Sequence, residues 1–182
     1  MRGAQGDPAD DLGTPRIVLV ATLVLAVAAV GTGLGIAATR RAPSGPVAIP
    51  AVPAPQAESP ECRALIATLP ERLGDFRRVD TVQPTPPGTA AWRAEGNPVI
   101  LRCGLERPAE FVVGSPIQQV DQVQWFRLDD ADTGRSTWVC VDRPVYLALT
   151  LPTGSGPAPI QTLSAVIDRS MPAIPIRPGP PR

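Results

Sequence analysis

Val145-Tyr-Leu-Ala-Leu-Thr-Leu151 is the stretch of the sequence that decides the fold class. Its aliphatic residues alternate with Tyr, Ala and Thr, so that one face of the segment is wholly aliphatic. A period of two is typical of a β-strand that turns one face toward a core. The stretch therefore predicts a half-buried strand.

Three further segments upstream of this stretch show features of strands. In residues 98–103 the odd-numbered side chains (Val, Leu and Cys) share one face. Residues 120–128 and 135–141 are joined by the polar segment 129–134, whose composition is typical of a hairpin turn. We therefore predict a mostly antiparallel sheet of four strands.

Two helices are predicted on either side of these strands. The first begins with Ser59 as N-cap and Pro60 at the first helical position, and the second is opened by Pro159. Each has an apolar stripe at helical spacing: Cys62, Leu65, Ile66 and Leu69 in the first, and Ile160, Leu163, Val166 and Ile167 in the second. The predicted fold class is thus α+β, with the helices on one side of the four-stranded sheet.

An apolar segment at residues 17–39 carries no charged side chain. As a helix it would span roughly 33 Å, enough to cross a hydrocarbon core of about 30 Å. Because a cleaved signal peptide has an apolar stretch of only about 7–15 residues, we favour an uncleaved membrane anchor, and cleavage is the alternative. The predicted organisation is a cytoplasmic tail (1–16), a transmembrane anchor (17–39), a Pro-rich linker (40–60), an extracytoplasmic domain (61–171) and a Pro-rich tail (172–182).

The residue types that the chain lacks exclude several kinds of chemistry. All 17 basic residues are Arg, and there is no Lys and no His. Ser-His-Asp and Cys-His sites, Schiff bases and a phosphate-loop lysine are therefore impossible within this chain. We predict no cofactor, no metal site and, at a formal net charge of +0, no nucleic-acid partner. Carboxylate chemistry survives, and Asp142 beside Arg143 is either a structural pair or part of a site.

The three cysteines indicate one disulfide and one odd thiol. Cys62 lies on the apolar stripe of the first predicted helix, and Cys103 lies on the apolar face of a predicted strand. If the helix packs on that face, the two can meet, and we expect a Cys62–Cys103 disulfide. Spacing alone does not fix connectivity, so a Cys103–Cys140 bridge stays open as the alternative.

Three tryptophans, Trp92, Trp125 and Trp138, are the candidate surface for a ligand or a partner. We expect Trp125 and Trp138 to face each other across the hairpin, where an aromatic pair either stabilises the sheet or stacks on a sugar. Arg102 and Arg127 are lone basic residues on predicted strands. We interpret both as solvated or ion-paired rather than as anion-binding.

Four stretches carry a resemblance to a known family: residues 46–56, 65–74, 99–105 and 142–146. Together they resemble an actinobacterial family of small exported or membrane-anchored proteins built on a domain of unknown function. The resemblance implies a place in the cell envelope and brings no activity, cofactor or site residues. It matches the family's cysteines to Cys62 and Cys103 and leaves Cys140 as a departure.

These observations lead to three functional hypotheses for a membrane-anchored, extracytoplasmic protein. The first is a non-enzymatic interaction or accessory domain that acts on another protein of the cell envelope, and the second is a small-ligand or glycan-binding module. The third is a hydrolase that uses carboxylates alone. An exposed apolar patch would favour the first, a concave aromatic cleft the second, and two facing buried carboxylates the third.

Overall fold

The computed structural model describes residues 45–181, which form one sheet of eight strands and two helices. The predicted cytoplasmic tail (1–16) and membrane anchor (17–39) lie outside these residues. In the described part of the chain, no helix is long and apolar enough to cross a membrane. In chain order the elements are α1 (Pro60–Thr68), β1 (Arg72–Leu73), β2 (Phe76–Val79), β3 (Thr89–Arg93), β4 (Val99–Leu105), β5 (Ile117–Val120), β6 (Val123–Asp130), β7 (Arg135–Cys140), β8 (Tyr146–Pro152) and α2 (Ala158–Ser170).

The prediction of a four-stranded sheet is wrong, because the sheet has eight strands in the order β1-β2-β3-β4-β8-β7-β6-β5. All neighbouring strands are antiparallel. The four predicted strands correspond to β4, β6, β7 and β8, which form the middle of the sheet and most of one side. The unpredicted strands β1, β2, β3 and β5 are two to five residues long. Strands this short carry too little periodicity to be recognised, since pairing with a neighbour stabilises them more than local propensity does.

Both helices are confirmed, and they cover one face of the sheet. The α1 helix starts as predicted, because the Ser59 hydroxyl accepts a hydrogen bond from the backbone N–H of Cys62 at 3.2 Å. Apolar residues of both helices share one core cluster with alternate residues of the strands. In β4 these are Val99, Leu101 and Cys103, and in β8 they are Leu147, Leu149 and Leu151.

The opposite face of the sheet is covered by irregular segments from the two ends of the described chain. Val47 donates its N–H to the Asp80 carbonyl at 2.8 Å and forms a parallel bridge with Thr81. Val47 and Ile49 form a second cluster with Ala91 and Ile100. At the other end, Ile176 packs against a cluster that contains Phe126 of the sheet, and Gly179 bridges Val112. Parts of the segments interpreted as linker and tail therefore pack against the sheet.

The N-terminal segment also contacts the sheet at Gly104, beside an irregularity in the β4–β8 pairing. The N–H of Gln56 donates to the Gly104 carbonyl at 3.0 Å. Gly104 has φ +85°, and a β-carbon on it would lie 2.2 Å from the backbone nitrogen of Ala57. Only glycine permits both the left-handed backbone and the close contact.

Candidate functional site

Two of the three candidate tryptophans are core residues. Trp92 and Trp125 are fully buried. The indole N–H of Trp92 donates to the Pro70 carbonyl at 2.9 Å, and that of Trp125 to the Ser164 hydroxyl at 3.0 Å. Because buried indoles with satisfied N–H groups have no surface to offer a ligand, these two side chains stabilise the fold.

Trp138 is the tryptophan that reaches a cleft. The β6–β7 hairpin closes between Asp130 and Arg135, so that Trp125 lies opposite Cys140 and Trp138 lies opposite Arg127. The prediction that Trp125 and Trp138 face each other is therefore wrong by two residues. They are diagonal neighbours on the helix-side face, where Trp125 belongs to the core and Trp138 is half-buried at its margin.

A cleft of about 650 Å³ opens beside Trp138, between the β6–β7 turn, the β8–α2 loop and the first turn of α2. We call it the hairpin cleft. Its apolar floor includes Trp138, Leu151 and Ile160, and its polar rim includes Arg127, Ser136 and Gln161. The cleft arises because the β6–β7 hairpin extends beyond α2. The strand face that packs in the core under α2 is exposed to solvent farther along the hairpin, where it forms a wall of the cleft.

Charged groups in the hairpin cleft are fixed by mutual contacts. The Arg127 Nε and Nη2 atoms lie 2.8 and 2.7 Å from Asp129 Oδ1. The Arg127 guanidinium also lies over the Trp138 ring, with Cζ 5.3 Å from the ring centroid. The interpretation of Arg127 as ion-paired is thus confirmed. Because the Arg127–Asp129 pair is exposed, it contributes little to stability, and its main effect is to fix the positions of the two side chains.

Asp130 lies at the edge of the cleft and closes the hairpin turn. Its Oδ1 atom accepts the backbone N–H groups of Asp132 and Thr133, both at 3.1 Å. Hydrogen bonds from the side chain and backbone of Thr133 lower the pKa of Asp130. A carboxylate held ionised in this way accepts hydrogen bonds and is a poor general acid.

The Asp142–Arg143 pair is structural. Both side chains are buried, and Arg143 Nη1 contacts Asp142 Oδ2 at 2.9 Å. Arg143 Nη2 donates to the Gln122 carbonyl at 2.9 Å and to Asp168 Oδ1 at 3.1 Å. The guanidinium therefore joins the β5–β6 turn to α2, and neither charged group is open to a substrate. Among residues 45–181, Asp142 is the one buried carboxylate, so the described region has no facing pair of buried carboxylates.

The predicted disulfide is confirmed: Cys62 and Cys103 are bridged and connect α1 to β4. Cys140 is a buried free thiol that donates to Asp142 Oδ1 at 3.5 Å. Burial, and next the charge of Asp142, raise the pKa of the Cys140 thiol far above its ordinary value. Since the thiolate is the reactive form, Cys140 is not a nucleophile in the folded protein.

The residues that accompany Trp138 in the cleft were missed by sequence reasoning. Arg127 and Asp129 share a strand face, and a correct hairpin register would have placed them beside Trp138. The residues from the β8–α2 loop and Gln161 carry no signal of this kind. In the described part of the chain, no group of three or more Cys, Asp or Glu residues is arranged to hold a metal ion.

Comparisons with known proteins give a family and no activity. A family model described as "Protein of unknown function (DUF3515)" matches residues 23–176. No curated protein and no solved structure matches the chain.

Proposed function

The chain belongs to the DUF3515 family of unknown function, and from that premise we propose that it is a non-enzymatic binding module of the cell envelope whose hairpin cleft holds a saccharide. The described surface supports the binding of a glycan better than the docking of another envelope protein. Among residues 45–181 the large exposed apolar side chains are three valines, Val52, Val82 and Val113. They give weaker support to a protein-docking surface than the cleft gives to a ligand site.

The composition of the hairpin cleft is the observation that carries this proposal. Its volume of about 650 Å³ lies within the range of roughly 300–1,000 Å³ typical of small-molecule sites. Trp138 offers an apolar surface for the C–H face of a sugar ring. Arg127, Asp129 and Gln161 supply donors and acceptors for ring hydroxyls. The ion pair between Arg127 and Asp129 holds these two groups in place at the rim of the cleft.

The proposed location outside the cytoplasm is supported by two features. The apolar segment at residues 17–39 has the length of a membrane anchor, and the Cys62–Cys103 disulfide is typical of oxidising compartments. We propose that the N-terminus lies in the cytoplasm and residues 45–181 outside it. A reporter that is active only after export, fused behind Arg182, should be active. Activity of a cytoplasm-only reporter at that position would contradict the proposed topology.

Saccharide binding can be tested by calorimetric titration of the full chain, held in nanodiscs, with soluble N-acetylglucosamine oligomers. We expect saturable binding that weakens at least tenfold in Trp138→Leu, because this substitution removes the aromatic surface. Gln161→Ala, which removes one rim amide, should weaken binding less. Arg63→Gln, on the exposed side of α1, is the matched control and should bind as the wild type does.

Two results would overturn the saccharide proposal. One is the lack of saturable binding by the wild type, and the other is wild-type affinity in Trp138→Leu. Because Trp138 also packs against the core, thermal unfolding of each variant must show that the fold is retained. Gln161→Ala tests the cleft independently if Trp138→Leu does not fold.

A further inference from the structure

A second pocket, of about 320 Å³, lies at Arg102 on the sheet face opposite the helices. Arg102 has this orientation because its strand neighbours Leu101 and Cys103 point into the helix-side core. One wall comes from the N-terminal segment, with Pro50 and Val52, and the other from the β2–β3 loop. The loop supplies Pro84, Pro86 and Pro87. We call this site the proline pocket.

The walls of the proline pocket are poor in hydrogen-bond donors. Proline has no backbone N–H, and four of the eleven lining residues are prolines. The Thr89 hydroxyl is already used, because it donates to the Pro86 carbonyl at 2.6 Å. The Thr85 hydroxyl is in hydrogen-bond contact with that of Thr81. The walls therefore suit an aliphatic group, and donors are concentrated at Arg102.

The Arg102 guanidinium is left with unused donors. It has five N–H groups to offer, and its contact with the Pro50 carbonyl is long, at 3.4 Å. Its Nε atom is buried without a hydrogen-bond partner. Among residues 45–181 Arg102 forms no ion pair, so no carboxylate neutralises it there.

The positive charge of a second guanidinium, that of Arg135, acts on Arg102, although Arg135 lines the hairpin cleft and not this pocket. Arg135 donates to the Pro98 carbonyl at 3.0 Å. Burial of Arg102, and next the like charge of Arg135, lower the pKa of Arg102. Arginine nevertheless stays protonated at neutral pH. A bound anion would use the free donors and offset the repulsion between the two guanidinium groups.

We propose that the proline pocket binds an amphiphilic anion, with a carboxylate or phosphate on Arg102 and an aliphatic chain between the proline walls. The mouth of the pocket is apolar as well, since Val52 lines it and is 45% exposed. This site goes beyond the proposed saccharide function. It differs in location, because Trp138 faces the helix side of the sheet, and in the chemistry of its ligand.

The binding test is a calorimetric titration of the full chain in nanodiscs of zwitterionic lipid, with empty nanodiscs subtracted. Octanoate and octyl phosphate should bind saturably. Octanol, which lacks the charge, and acetate, which lacks the chain, should bind at least tenfold more weakly. Equal binding of octanol and octanoate would overturn the role of Arg102 as an anion-binding group.

Substitutions locate the site. Arg102→Gln should weaken octanoate binding at least tenfold, whereas Arg102→Lys, which keeps the charge, should retain most of it. Arg77→Gln, on an exposed residue of β2, is the matched control and should have no effect. Wild-type affinity in a folded Arg102→Gln protein would overturn the proposal. If Arg102→Gln does not fold, Val52→Asp, which puts a negative charge at the exposed mouth, should weaken octanoate binding, and unchanged affinity would overturn the proposal.

Two additional arms separate this site from other sources of binding. Anionic lipid added to the nanodisc should displace octanoate if the natural ligand is a membrane headgroup, and should not displace it if the ligand is a free amphiphile. Either result supports the pocket and identifies the source of its ligand. Trp138→Leu should leave octanoate binding unchanged, so that failure of the saccharide proposal and failure of this one are distinguishable.

Discussion

Gly104 is the residue at which a substitution gives the sharpest test of how the N-terminal segment is docked. In Gly104→Ala the new β-carbon would lie 2.2 Å from backbone atoms of Ala57 and Gln56, which cannot rotate away as a side chain can. We expect the free energy of unfolding to fall by at least about 3 kcal/mol. About 1–2 kcal/mol of this comes from the left-handed backbone, and the rest from displacement of the docked segment. Urea unfolding gives the change through the midpoint at constant slope.

Gly96 provides the matched control for Gly104. Its φ is similar, +81°, but a β-carbon on Gly96 would meet nothing within 4 Å. Gly96→Ala should therefore lose only the backbone contribution of about 1–2 kcal/mol. Equal losses in both variants would mean that the contact between residues 56–57 and β4 contributes nothing to stability.

Cys140 makes the stability of the protein depend on pH in the alkaline range. Its pKa is raised in the folded state, by burial first and by the charge of Asp142 second, whereas an unfolded thiol titrates near about 8.5. Above that pH the unfolded chain binds fewer protons than the native protein does, so stability falls as the pH rises. Between pH 7.5 and 10 the loss from this thiol should be about 2 kcal/mol.

The variant Cys140→Ala isolates this effect, because the other titrating groups remain. Tyr146, whose pKa is also raised by burial, contributes equally to both proteins. Urea unfolding at the two pH values should show that the wild type loses about 2 kcal/mol more than the variant does. If the two proteins lose stability in parallel, the Cys140 thiol titrates normally in the folded state.

Among the elements, the N-terminal segment 45–60 differs most from its prediction, because it packs in the fold rather than serving as a linker. It places Val47 and Ile49 in a buried cluster, and Ser59 caps α1. A chain that begins at Glu61 should be less stable than one that begins at Gly45 by at least about 4 kcal/mol. The two aliphatic side chains contribute about 1.5–3 kcal/mol each and the cap about 1 kcal/mol.

The comparison of these two shortened chains has its own control, because both lack residues 1–44. Urea unfolding followed by tryptophan fluorescence gives both midpoints. Trp92 and Trp125, which report on the core, are present in both chains. If the midpoints coincide, residues 45–60 behave as a linker, as their proline content alone would indicate.

At the scale of the whole molecule, the sequence predicted those elements whose periodicity is long enough to be recognised. The stripe from Cys62 to Leu69 and the alternation at 145–151 predicted a helix and a strand correctly. The same stripe placed Cys62, and the alternation at 98–103 placed Cys103, on surfaces that face each other. Strand β3, with Ala-Ala-Trp at its centre, has buried residues on both faces and no alternation, so its place in the sheet depends on β2 and β4.

The candidate sites were harder to predict than the fold, because each depends on a relation between distant segments. Trp138 lies opposite Arg127 only in the observed register of the hairpin. The predicted register, which differs by two residues, placed it opposite Trp125. The proline pocket needs residues 50–54 to return to the sheet beside Arg102, whereas the composition of that segment indicates a spacer. Proline content predicts an extended backbone, and it does not tell whether that backbone is solvated or packed.

The Cys62–Cys103 bridge has a mechanical consequence if the protein is pulled between its two ends. Tension would pass through the disulfide directly from α1 into β4, so that β1, β2 and β3, which lie between the bridged cysteines, would be outside the load path. The bridge would prevent the segment between the two cysteines from being extended. Their sequence separation of 41 residues corresponds to about 140 Å of contour length at about 3.4 Å per residue. Strands β1 to β3 would thus carry no tension, whereas β5 to β8 would be pulled apart.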